Sequence, residues 1–268
     1  MVLDLAGAPL TPGQTRTLRG LIGFAILFAL VETLTRAELV NPSFLPPASK
    51  VLTTALGLVV DPEFLVAVAG TLMAWVLGML IAALVGVSLG VVLGSSRRSY
   101  AAAITAIEFL RPIPSVALIP LAIVLLGRGL DMKVMLVAYA SLWPILFNAI
   151  YGIREVDPVA LDTARVFGFR RRDVLRRVSL PSAAPFIYTG LRISAGIALI
   201  VAISTELIAG GSHGIGVWML TRSEVGVPRE FALAGLVVAG LLGLGINAGM
   251  VAGERRLFAW HHRVRNSA

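Results

Sequence analysis

From residue 67 to residue 95 the chain carries no charged side chain. Crossing a bilayer takes roughly 20 apolar residues in helical form, so this run is long enough to span and too long for an ordinary core helix. Further apolar runs predict six membrane helices, near residues 17–36, 67–95, 100–127, 132–152, 183–210 and 230–253. Only 14% of residues are charged, against about a quarter in soluble domains. The expected fold class is all-α integral membrane. Arg16 and Arg19 precede the first run, and no small-residue cleavage site clearly follows it. That pattern predicts an uncleaved first helix rather than a signal peptide.

The net charge of +8 is distributed unevenly. Fifteen of the 23 lysines and arginines fall in one set of loops and six in the other, with Arg111 and Arg192 inside spans. Cytoplasmic loops collect positive charge, so the richer set, with both termini, is expected in the cytoplasm. The same rule accounts for the basicity without nucleic acid. There is no Cys, which excludes disulfides and thiol chemistry. The three His show no ligand spacing, and His261 and His262 are expected in a solvated tail.

Two extracytoplasmic segments stand out. Residues 37–66 are too Pro-rich and polar to span, and the apolar 51–60 is too short, which predicts an interfacial or bundle-packed piece. Residues 211–229 predict a short surface helix between flexible ends. Within the spans, Gly86, Gly90 and Gly94 share one face, as do Gly245, Gly249 and Gly253. Such faces permit close backbone approach, within the subunit or between copies. Pro112, Pro114 and Pro120 break the third span, and Trp143–Pro144 predicts a kink in the fourth.

The densest charge lies in LDTARVFGFRRRDVLRRVSLP, residues 161–181, between the fourth and fifth spans. Just upstream, Asp157 is a good N-cap and Pro158 suits the first helical position. Gly168 stands where a left-handed stop ends a helix. The prediction is a short helix, about 158–167, outside the bilayer. Ala160 and Ala164 are small and one turn apart, and Phe167 is a candidate anchor in a protein groove. The arginines that follow suit anionic headgroups.

Here the chain resembles a known family. The cytoplasmic loop of ABC importer permeases carries E-A-A-x3-G-x9-I-x-L-P. The present residues are Asp162, Thr163, Ala164, then Gly168, then Val178, Leu180 and Pro181 at the same spacing. Asp162 and Thr163 depart from the pattern. LRPIPSVALIPLAIVLLG and GLRISAGIALIVAISTELIAGGSHGIG resemble permeases of the nitrate/sulfonate/taurine type. The resemblance covers a permease domain at 67–255, flanked by a tail (1–16), a first helix with its outer segment (17–66) and a second tail (256–268). It implies a coupling helix that docks on a cytoplasmic ATP-binding subunit. It also implies two permease copies, expected to be a homodimer, two ATPase subunits holding ATP and Mg, and an extracytoplasmic solute-binding protein. No phosphate-binding loop of the G-x-x-x-x-G-K-[ST] kind occurs, so hydrolysis is expected on a partner and no catalysis on this chain.

Ionisable residues inside spans are functional candidates because burying them in hydrocarbon is costly. Glu108 and Arg111 stand i, i+3 and form a candidate pair. Arg111 and Arg192 reach similar depths, and either line a path for an anionic solute or serve structure, Arg192 by snorkelling to headgroups. Asn148, Thr205 and Glu206 complete the candidate path. No catalytic or metal-ligating constellation appears. An ion-coupled secondary carrier is the competing class; such carriers often show internal repeats, and none is evident.

Overall fold

The computed structural model describes residues 12–41, 44–224 and 228–258. The predicted tails beyond these limits, with His261 and His262, lie outside the described residues. Among the described residues eleven α-helices follow one another: α1 (Pro12–Arg36), α2 (Ala48–Leu58), α3 (Pro62–Ser95), α4 (Arg97–Leu110), α5 (Ile119–Leu126), α6 (Leu130–Arg154), α7 (Pro158–Val166), α8 (Arg171–Val174), α9 (Leu180–Ala209), α10 (Ile215–Glu224) and α11 (Glu230–Leu257). Among the described residues, five helical segments are long and apolar enough to span, or six if α4 and α5, bent by 78°, form one span. Five of the expected crossings coincide with the five segments, and the expected third coincides with the bent pair.

The chain divides into two compact units, residues 1–61 with 222–238, and residues 62–221 with 239–268. In the first unit the interfacial piece is α2, which packs on α1 through Val51, Ala55 and Leu58. Glu32 on α1 accepts from the Ser49 backbone N–H (3.0 Å) and hydroxyl (2.8 Å), satisfying donors at the start of α2. Lys50 pairs with Glu230 at 2.7 Å.

In the second unit, α3, α6 and α9 form the packed centre. Glycines set the distance between α3 and α6. A Cβ placed on Gly78, Gly86, Gly90 or Gly94 would run into Val137, Ile145, Ala149 and Ile153 respectively. The predicted glycine face is thus an intrasubunit seam, and it extends a further two turns to Gly78. Gly190 of α9 meets Asn148 and the Pro144 carbonyl in the same way. Buried Met132, Leu136, Val137, Ala195, Ala198 and Ala202 fill the space between. In lipid, where apolar burial drives little, such van der Waals fit and small-residue contact hold helices together. The second predicted face is different over most of its length: a Cβ on Gly245 or Gly249 would meet nothing within 4 Å, and only Gly253 packs closely, against the Tyr188 hydroxyl.

The prolines act unequally. After Leu110 the helix breaks, and a 3₁₀ turn at Ser115–Leu118 leads into α5. Pro114 has no N–H for the Leu110 carbonyl. That oxygen accepts instead from the Tyr139 hydroxyl at 2.6 Å and the Ile113 N–H at 3.2 Å. Pro144, by contrast, sits inside α6, which continues through it without a break.

Two expectations about the outer side are corrected. Lys133, counted with the loop cations, is 2% exposed in the first turn of α6. The helix in 211–229 is not superficial: in α10, Ile215, Trp218 and Met219 are all buried.

Candidate functional site

The loop after α6 forms as its residues dictate. Asp157 Oδ1 accepts from the Val159 N–H at 2.8 Å, capping α7. At the other end Gly168 adopts φ +77°. Its N–H donates to the Arg165 carbonyl (2.9 Å) and the Phe169 N–H to the Ala164 carbonyl (3.0 Å). This is the paired bonding that closes a helix on a left-handed residue. A Cβ on Gly168 would meet nothing; its requirement is conformational, not spatial.

The helix presents two unlike faces. Ala164 is buried and Ala160 half-buried, against this chain's own structure, with α7 packing on a π-helical turn at Leu175–Ser179. The small residues therefore face inward. Outward stand Val159, Val166 and Phe167, the last 77% exposed. Asp162 pairs with Arg165 at 2.7 Å, with both side chains in solvent, where such a pair contributes about 0–1 kcal/mol. Thr163 is exposed. Leu180 is half-buried and Pro181 exposed at the start of α9.

The membrane candidates separate. Among the described residues no ion pair joins Glu108 to Arg111, which overturns the expected i, i+3 pair. The Arg111 guanidinium lies 4.8 Å from the centre of the Phe147 ring on α6. Arg192 binds Glu254 of α11 at 2.6 Å. Asn148 donates its amide to the Pro144 carbonyl (2.8 Å) and packs on Gly190. Thr205 is fully buried, with its hydroxyl lacking a partner among the described residues.

Glu206 is the centre of a cluster that local reading could not assemble. Its carboxylate is fully buried. It accepts from the Thr71 hydroxyl (2.9 Å to Oε2), the Lys133 ammonium (3.0 Å) and the Gly216 N–H (3.0 Å). Lys133 also donates to the His213 carbonyl at 2.6 Å, and Thr71 accepts from the Ile215 N–H at 2.8 Å. Helices α3, α6 and α9 thereby converge on the unsatisfied N–H groups that open α10, where a negative charge is favourable. Gly214 turns at φ +159° in the only room available, since a Cβ there would overlap the Glu206 carboxylate. Lys133 and Glu206 are opposite charges near the outer ends of two apolar spans, and that pattern was the available signal.

Comparison with known proteins follows from this geometry. The family model described as "Binding-protein-dependent transport system inner membrane component" matches residues 84–258. The chain is 31% identical to the taurine transport system permease protein of Escherichia coli (strain K12), over 90% of this chain and 89% of that protein. It is 27% identical to the putative aliphatic sulfonates transport permease protein of Bacillus subtilis (strain 168), over 94% and 91% respectively. It is also 29% identical to a nitrate import permease protein of Leptolyngbya laminosa, over 68% and 64%. An inward-facing crystal form of the MetNI methionine ABC transporter shares the fold, with TM-score 0.63, 18% identity, and coverage of 73% of this chain and 98% of that one.

Proposed function

The chain belongs to the binding-protein-dependent transport system inner membrane components, as an ABC importer permease subunit of the nitrate/sulfonate/taurine type, and from that premise we propose how it works. It forms the path for a small anionic solute handed over by an extracytoplasmic binding protein. It pairs with a second copy of itself in the plasma membrane, with both termini in the cytoplasm. Two cytoplasmic ATPase subunits, holding ATP and Mg, drive it. The relatives named for taurine, sulfonates and nitrate all handle anionic groups, which supports the choice of solute class.

The observation that carries the coupling role is α7 itself. A nine-residue helix capped at both ends exposes Val159, Val166 and Phe167 beyond the membrane segments. An aromatic anchor held on a rigid, pre-ordered helix is what a groove on a partner recognises. Asp157 and Gly168 fix the helix, Ala160 and Ala164 seat it on the π-helical turn, and Leu180 and Pro181 pass its motion into α9. Asp162 and Thr163 flank the docking face. Residues 67–255 act as the permease domain.

The test is copurification. Phe167→Asp should abolish retention of the ATPase subunit while the chain still inserts and elutes as wild type. Full retention together with normal uptake would show that α7 does not couple. Ala164→Arg is a poorer test, because Ala164 is buried within this chain.

A further inference from the structure

We infer that the start of the fifth span holds a binding site for a phosphate-bearing anion, occupied by the headgroup of an anionic phospholipid. Arg170, Arg171, Arg172 and Arg176, with Asp173 and Leu175, line an open cleft of about 500 Å³. The other two arginines nearby are committed: Arg165 pairs with Asp162, and Arg177 stacks 5.7 Å from the Phe169 ring centre. Among the described residues the four lining arginines have no ion pair, and one carboxylate faces four guanidiniums. Arg172 and Arg176 are moreover a like-charge i, i+4 pair, which opposes helix formation. A bound anion removes that repulsion, and guanidinium forks match phosphate oxygens two at a time.

The arginines lie outside the apolar part of the helix. Arg171–Ala209 is one continuous helical segment of 39 residues, about 58 Å long at 1.5 Å per residue. The hydrocarbon core is about 30 Å thick, so the helix overshoots it, and its arginine-bearing first turns extend past the apolar part. The π-helical turn at Leu175–Ser179 sits between the cleft and α9, the kind of interruption that recurs at functional sites. Occupancy would thus brace the π-helical turn on which α7 packs. The cytoplasmic position of this cleft rests on the placement proposed above; its charge and lining do not.

The experiment uses the full chain purified with its ATPase subunit and incorporated into nanodiscs of phosphatidylcholine containing about 20% phosphatidylglycerol. Wild type should retain phosphatidylglycerol at about tenfold enrichment when released lipids are analysed by mass spectrometry. R171Q/R172Q/R176Q should lose that enrichment while keeping the ATPase subunit. The single substitution Arg171→Gln, on an exposed side chain, should lower it about threefold and guards against misfolding of the triple variant. Displacement of the lipid by inorganic phosphate would identify the free anion as an alternative occupant of the same site; no displacement would assign the site to the headgroup. Unchanged enrichment in both variants, or none in wild type, would overturn the inference. So would loss of the ATPase subunit with enrichment intact, since the arginines would then face the partner. Failure of wild type to hold any ATPase, with enrichment present, would sink the coupling role and leave the anion site standing.

Discussion

At the scale of single residues, the Glu206–Lys133 pair carries the clearest stability prediction. Removing one partner of a buried, hydrogen-bonded ion pair costs about 3–5 kcal/mol, because the other charge stays buried and unmatched. Lys133→Met should therefore lower the thermal unfolding temperature sharply in detergent, and Lys133→Met with Glu206→Leu should recover much of the loss. An uncoupled pair of effects in that cycle would show the ammonium and carboxylate to be independent. The same residues mark the limit of what the sequence could reveal. Asp157 and Gly168 were legible because a cap and a left-handed stop involve bonds to residues a few positions away. Glu206 meets Lys133 across 73 positions and Thr71 across 135. Arg192 meets Glu254 across 62. No local pattern encodes those meetings, so neither the partner of Arg192 nor the burial of Lys133 is legible in the sequence.

At the scale of helices, periodicity and small-residue spacing did most of the work. The six spans and the broken third one were readable from apolar run length and from Pro112 and Pro114. The destination of a glycine face was not, because Gly86–Gly94 and Gly245–Gly253 look alike until their neighbours are known. The structure separates them, and the separation is testable. Gly90→Val would force a side chain into Ala149 and the Leu146 carbonyl. Overpacking of this kind costs about 1–3 kcal/mol, so the yield of folded monomer and its melting temperature should fall. Gly249→Val enters open space in the single chain and should leave the melting temperature within error. Equal losses in the two variants would mean that the α3–α6 seam is no tighter than the surface of α11.

At the scale of the whole protein, the two membrane arginines predict different phenotypes. Arg192 is neutralised by Glu254, so Arg192→Gln leaves a carboxylate unpaired and should reduce folded yield along with uptake. Arg111 rests on an aromatic ring, is exposed, and has no carboxylate partner among the described residues. Arg111→Gln should therefore keep yield and ATPase retention and lower anion uptake severalfold. Normal uptake in that variant would remove Arg111 from the path. The seam between α3 and α6 also constrains how such a machine can move. With glycine against Val137, Ile145, Ala149 and Ile153 along its length, the two backbones mesh like a rack against its teeth. Sliding one past the other by less than a full helical turn, about 5.4 Å, would lift every tooth out at once. These helices must consequently move as one block, α9 with them through Gly190, and the stroke of the transport cycle has to be taken up elsewhere, at the 78° elbow between α4 and α5.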